Sequence, residues 1–239
     1  MSAHLLLLPG LLCDAAVWAP QVAALKLPCT VVDYGGAQSL TTMAEMALAA
    51  APAGPLAVAG HSMGGRVALE IFRQAPARVD RLALLDTGCD ALPPGAAGEQ
   101  ERQGRMALLA LARAQGMRAM ASQWARGMVH PQRVGGPVYD AVLEMFERRD
   151  VPTFAAQIEA LLKRPDAAPL LRRLQCPLLL LTGAEDGWSS PAQHHRMADH
   201  APGSRLVVVP DCGHMSTWEA PDAVSGELAA WLAAPRQVL

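Results

Sequence analysis

Leu56-Ala57-Val58-Ala59-Gly60-His61-Ser62-Met63-Gly64-Gly65 is the stretch on which the reading of this sequence turns. Four apolar residues of strand character run into a G-x-S-x-G turn, and a helical pattern follows at once over Met63–Gln74. Such a turn is tight enough that the neighbours of the serine must lack bulk. Gly60 and Gly64 meet that demand, and Gly65 lets the helix approach the sheet. The setting holds the Ser62 hydroxyl at the C-terminal edge of a sheet. It also aims the Met63 N–H, at the helix start, toward a developing oxyanion. The plainer alternatives are a loop or a glycine-rich phosphate turn. The latter lacks both the lysine of a P-loop and the G-x-G-x-x-G spacing.

Working outward, short apolar runs alternate with helix-length segments, the pattern of an α/β parallel sheet flanked by helices. The expected strands are His4–Leu8, Thr30–Tyr34, Leu56–Ala59, Arg81–Leu85, Pro177–Leu181 and Arg205–Val209. All are apolar nearly throughout, as strands covered on both faces should be. Helices are expected near Thr41–Ala51, Met63–Gln74, Pro191–His200 and Ala220–Leu232, with Thr41-Thr42 and Ser190-Pro191 as N-terminal signals for two of them. From about residue 88 to 174 the alternation stops, and helical patterns fill Gly98–Gln115, Met117–Gly127, Val138–Arg148 and Thr153–Leu162. A structureless loop of that length is implausible, so the stretch reads as a helical cap inserted after the fourth strand. The expectation is one domain over residues 1–239.

Composition agrees. Of 239 residues, 51% are hydrophobic and 18% charged, enough apolar content for a sizeable core and unlike a disordered chain. A net charge of −2 offers no field for nucleic acid. The five cysteines form no C-x-x-C pair, so neither a zinc site nor a disulfide framework is suggested. Cys13 and Cys212 lie near the motifs but read as small buried hydrophobes. The run Leu5–Leu8 ends at Pro9-Gly10, far short of a signal core or a membrane span, and reads as a strand. A cytoplasmic setting without membrane partners is expected.

A serine hydroxyl needs a base. Of seven histidines, His214 is the best placed, on the loop after the last strand in Pro210-Asp211-Cys212-Gly213-His214. His61 should point elsewhere; His194, His195 and His200 lie in an expected surface helix, and His130 lies in the cap, where it could touch substrate. The base in turn needs an acceptor to orient it. Asp186, just past the fifth strand, is favoured, with Glu185 as its nearest competitor. Asp33 and Asp86 follow other strands and read first as turn or capping residues. The order Ser62, Asp186, His214 is the order expected of a nucleophile-elbow hydrolase.

Leu8-Pro9-Gly10-Leu11, Gly60-His61-Ser62-Met63-Gly64-Gly65, Gly183-Ala184-Glu185-Asp186 and Asp211-Cys212-Gly213-His214 together make the chain resemble the α/β-hydrolase fold family over essentially its whole length. The resemblance implies that the loop after the first strand supplies a second oxyanion-hole N–H, at Leu11. Pro9-Gly10 stands where members often carry His-Gly. The sheet also begins at what is usually the third strand, so six essentially all-parallel strands are expected.

The chemistry implied is acyl transfer through Ser62, with no metal and no organic cofactor. The cap is rich in Met106, Leu109, Met117, Met120, Trp124, Met128, Val129, Val138, Met145 and Phe146, residues that usually form core but would give an adaptable apolar wall where they face a pocket. A small or medium hydrophobic carboxylic ester is the favoured substrate. Leu12, Trp124 and Trp188 are the candidate substrate contacts, with Trp18 beside them, packing being the commoner role for such residues. No cluster of Arg or Lys in the motif loops advertises a phosphorylated substrate. The same triad serves lactones, thioesters, peracids and carbon–carbon bonds beside ketones, and a slow-turnover ligand receptor is the non-enzyme rival. Oligomeric state is not legible.

Overall fold

The computed structural model describes residues 3–235. Six strands, β1 (His4–Leu8), β2 (Cys29–Val31), β3 (Leu56–His61), β4 (Val79–Leu85), β5 (Leu178–Gly183) and β6 (Arg205–Val209), form one sheet in the order β2-β1-β3-β4-β5-β6. Every pairing is parallel. Leu6, Leu7 and Leu8 of β1, Val58 of β3, Leu84 of β4 and Leu180 of β5 are all fully buried, because helices cover both faces of the central strands.

The edges depart from that expectation. β2 is shorter than the expected Thr30–Tyr34, with none of its three residues fully buried, and in β6 Arg205 and Val208 are exposed. An edge strand has a partner on one side only. Here Arg205 pairs with Glu227 at 2.6 Å, a charge at the open edge that discourages further strand pairing.

The helices are α1 (Ala19–Leu25), α2 (Leu40–Ala50), α3 (Met63–Gln74), α4 (Ala96–Gln115), α5 (Met117–Trp124), α6 (Pro137–Glu147), α7 (Val151–Leu162), α8 (Ala168–Leu171), α9 (Pro191–His200), α10 (Ser216–Glu219) and α11 (Pro221–Ala233). Of these, α1 packs on α11, which covers β4 and β5; α3 lies on β1, β3 and β4, with α2 against it, and α9 lies on β5 and β6. The N-cap of α2 is Ser39, whose hydroxyl accepts from the Thr42 N–H, so the helix starts at Leu40, one residue before Thr41-Thr42. Ser190 caps α9 as expected, with Pro191 in its first turn. Helices α4–α8 all fall between β4 and β5 in the chain. No helix among the described residues is long and apolar enough to cross a membrane.

The chain leaves β1 toward β2 on one side and returns to β3 on the other. The loops after β1 and β3 therefore diverge from neighbouring strand ends and open a crevice at the C-terminal edge of the sheet.

Candidate active site

Ser62 sits on that crevice with φ +54° and ψ −119°, a backbone conformation that residues with a Cβ avoid. Its surroundings over-determine it. The Ser62 N–H donates to Leu85 O at 2.9 Å, while its carbonyl accepts from Gly65 N at 3.0 Å and Thr87 Oγ1 at 2.6 Å. The glycines behave as the turn requires: a Cβ on Gly64 would lie 2.0 Å from Leu8 O, and one on Gly60 2.2 Å from Gly64 O. A Cβ on Gly65 would meet Thr87 at 2.5 Å.

His214 Nε2 lies 2.9 Å from Ser62 Oγ, and His214 Nδ1 lies 2.8 Å from Asp186 Oδ2. With Nδ1–H donating to the carboxylate, Nε2 is left as acceptor for the serine hydroxyl. The other carboxylate oxygen of Asp186 accepts from the Trp188 and Ser189 N–H groups, each at 2.9 Å. Burial opposes ionisation of Asp186, but the His214 charge and hydrogen bond and those two amides outweigh it and hold the pKa at about 2. Burial likewise opposes the charged form of His214. The Asp186 charge and hydrogen bond overcome this and raise the pKa above 6.5.

The loops carrying these two residues are tied directly. Ala184 N–H donates to Val209 O at 2.8 Å and Glu185 N–H to Cys212 O at 2.9 Å, while Glu185 Oε2 accepts from Cys212 N–H at 2.8 Å. Glu185 is thus a loop tie rather than a second acid at the imidazole. Gly183 permits the approach, since a Cβ there would lie 2.2 Å from the carbonyls of Cys212 and Gly213.

Several residues have surroundings that the sequence did not disclose. His61 turns away from the serine, as expected, but into a buried network: its Nε2–H donates to His214 O at 2.8 Å and lies 3.6 Å from Asp86 Oδ2. Burial holds His61 neutral down to about pH 3, so this contact is not an ion pair at neutral pH. Asp86, read as a turn residue, is fully buried; it accepts from Gly183 N–H at 3.2 Å and is hydrogen-bonded to Ser216 Oγ. Burial, then the charge of Asp186, raise its pKa well above the carboxylate range. His194, expected on a surface, is buried, with Nε2 accepting from Thr87 N–H at 3.4 Å. Asp33 is the expected turn residue, accepting from Gly35 N–H and paired with Arg149.

The β1 loop lies against the serine: a Cβ on Gly10 would be 3.2 Å from Ser62 Cβ. Leu11 and Met63 both line the adjoining cavity of about 1280 Å³. Leu12 does not. It is fully buried in a left-handed conformation (φ +62°), and its N–H donates to Gln157 Oε1 at 2.8 Å, which turns it into the core. That corrects its expected place as a substrate contact. Trp18 is likewise fully buried and off the cavity wall.

Trp124 and Trp188 do line the cavity, stacked at 5.3 Å, with Trp188 in turn 5.1 Å from the His214 ring. Met63, Leu108, Met128, Phe154, Ile158 and Leu161 complete an apolar wall beside Ser62, whereas Met106 of the insertion is exposed. The cavity also has a basic side, formed by Arg66, Arg105, Arg164, Arg172 and Arg196. These residues are scattered in sequence and none lies in the motif loops.

Burial raises the Cys13 thiol to about 12 and lifts Cys212 too, so neither is a ready nucleophile. His130 lies off the cavity wall, against the expectation that it could reach substrate. It clusters with Glu185 and Asp211, their ligand atoms within 4.8 Å of one another. Two of these groups are already engaged, His130 Nδ1 by Gln132 N–H and Glu185 by Cys212 N–H.

A model of the alpha/beta hydrolase fold matches residues 3–221. The chain is 25% identical over 191 residues to the 2-hydroxy-6-oxononadienedioate/2-hydroxy-6-oxononatrienedioate hydrolase of Escherichia coli K12, covering 74% of this chain and 62% of the relative. It therefore spans less than two thirds of that relative's length. A thermophilic esterase from Thermogutta terrifontis superposes with a TM-score of 0.85 at 26% identity, covering 97% of this chain and 90% of the other. The enol-lactonase of Burkholderia xenovorans LB400 gives 0.84 at 24% identity over 98% of this chain and 92% of that one, a likeness of fold.

Proposed function

The chain belongs to the α/β-hydrolase fold family, and from that premise we propose that it is a serine hydrolase cleaving small or medium carboxylic esters through an acyl-enzyme. The observation that carries this reading is the continuous relay from Ser62 Oγ through His214 to Asp186, with contacts of 2.9 and 2.8 Å. In this reading His214 takes the Ser62 proton as the oxygen attacks the ester carbonyl. The Leu11 and Met63 amides stabilise the tetrahedral oxyanion. His214 then protonates the leaving alcohol, and a water activated by the same imidazole hydrolyses the acyl-enzyme. Asp186 holds the tautomer and stabilises the imidazolium. Helices α4–α7 act as a cap whose Trp124, Met128, Phe154 and Ile158 form the apolar wall of the site, next to the scissile bond.

The test is labelling with a fluorophosphonate, followed by a panel of p-nitrophenyl esters, lactones and thioesters. Ser62→Ala should abolish both labelling and ester turnover; retained wild-type hydrolysis in that variant rejects the assignment. Lactones are in the panel because the Burkholderia neighbour is an enol-lactonase, and a 2-hydroxy-6-oxo-diene dioate is added to it because the Escherichia relative is a hydrolase of such compounds.

A further inference from the structure

The basic side of the cavity has no role in the chemistry at Ser62, and its charges are unevenly compensated. Arg105 and Arg164 share one carboxylate: Glu101 Oε1 accepts from Arg105 Nε at 2.9 Å and from Arg164 Nη1 at 2.7 Å, while Oε2 accepts from Arg164 Nη2 at 2.7 Å. Asp166 Oδ1 is used by Ala168 N–H, and Asp90 is exposed. Arg172 and Arg196 are exposed and screened by water.

Arg66 differs from all of these. It lies on α3, four residues after Ser62 in the chain. Its Nη1 donates to the backbone carbonyl of Asp90 at 2.8 Å, and among the described residues no carboxylate pairs with it. Beside it is a second donor. A Cβ on Gly88 would lie 2.0 Å from Gln193 Nε2 and 3.1 Å from Arg66 Nη2, so the amide and the guanidinium converge on bare backbone. Both side chains line the cavity. Burial, and then the charges of Arg164 and Arg105, pull the Arg66 pKa down to about 9, which leaves it charged at neutral pH but poorly compensated.

We propose that Arg66, with the Gln193 amide, binds a carboxylate carried by the acyl part of the substrate, which makes the substrate class the monoesters of short dicarboxylic acids. This rests on the ester-hydrolase reading of the same site. A planar guanidinium matches a planar carboxylate in two parallel hydrogen bonds, and the apolar wall of the same cavity suits a carbon chain rather than free phosphate. Ser62 and Arg66 line one cavity, so an acyl chain laid along its apolar wall connects the ester carbonyl to the distal carboxylate.

The experiment compares mono-p-nitrophenyl glutarate with p-nitrophenyl butyrate, which share a leaving group and differ in the distal charge. Wild-type kcat/KM should favour the glutarate ester at least tenfold. Arg66→Met should reduce that ratio at least tenfold, chiefly through KM. A wild-type ratio near one, or a ratio unchanged in the variant, overturns the proposal. Should Arg66→Met not fold, inhibition of wild-type turnover by free glutarate and by inorganic phosphate decides. Competitive inhibition by glutarate stronger than by phosphate supports it; the reverse order, or none, overturns it. If neither ester is turned over, the hydrolase reading fails by itself. Glutarate is then titrated into Ser62→Ala by tryptophan fluorescence: saturation supports the carboxylate site and its absence overturns it.

Discussion

Glu219 holds His214 from both sides: its Oε1 accepts hydrogen bonds from the N–H groups of Gly213, at 3.1 Å, and Met215, at 3.2 Å, the two neighbours of the histidine in the chain. Its Oε2 accepts from His130 N–H at 2.7 Å and from Arg133 Nη1 at 3.2 Å. The His214 N–H itself donates to Met128 O at 2.7 Å. One buried carboxylate thus fastens the β6 loop to the helical insertion beside it.

Replacing Glu219 with alanine leaves the Gly213 and His130 amides without their acceptor and the Met215 amide with only Met128 O, at 3.2 Å. The expected cost is about 3 kcal/mol of stability, read as a lowered urea midpoint. At temperatures where the variant stays folded, kcat should fall more than KM rises, because the imidazole is displaced rather than the pocket. A kcat equal to wild type would show that this clamp does not position His214.

The pH dependence follows from the raised pKa of His214. Only the neutral imidazole can accept the serine proton, so kcat/KM should rise with pH through a midpoint above 6.5. Asp186→Asn removes the charge that lifts that pKa, and the midpoint should move down while kcat falls by up to about 10⁴-fold. A midpoint that stays in place in the variant would argue against Asp186 as the partner.

The same groups set the acid stability. Asp186 is depressed from 3.8 to about 2, so its contribution is present above pH 3.8 and lost as pH falls toward 2. His61 is depressed from 6.5 to about 3 by burial, so the unfolded chain binds its proton first and stability declines as pH falls below 6.5. His214, being raised, has the opposite sign: its contribution is full below 6.5 and is lost as pH rises through its higher folded value. His61→Gln should flatten the decline between pH 6 and about 4 in thermal melts; an unaltered slope would assign it to other groups.

Backbone strain at Ser62 gives a further test. Alanine keeps the +54° conformation and its strain, whereas glycine relieves it. Ser62→Gly should therefore be more stable than Ser62→Ala by about 1 kcal/mol, although both lack the hydroxyl. Equal melting temperatures would mean the turn is unstrained.

Gly64→Ala should prevent normal folding or cost more than about 3 kcal/mol, since its Cβ would lie 2.0 Å from the Leu8 carbonyl, backbone that cannot step aside. Gly104→Ala, where nothing lies within 4 Å of a Cβ, is the control and should be neutral or slightly stabilising.

What was legible in the sequence was whatever a local pattern encodes. Apolar runs of strand length, the helical period over Met63–Gln74 and Pro191–His200, and the small residues around Ser62 each follow from short-range sterics and burial, and these elements form within a residue or two of where they were expected, except the edge strand β2, which ends at Val31 rather than Tyr34. The order of the strands' terminal loops also pointed to Asp186 and His214, because a parallel sheet brings all its strand ends to one edge.

Contacts between distant segments were settled only by the tertiary structure. Leu12 and Leu11 are neighbours with like side chains, yet a left-handed turn and the amide of Gln157, 145 residues away, send one into the core and leave the other on the cavity. Asp86, His194 and Glu219 carry no motif, and their burial depends on how the loops close over one another. The arginines at 66, 105 and 164 come from three separate segments and become one charged wall because packing, which sums over the whole chain, brings those segments to a common cavity.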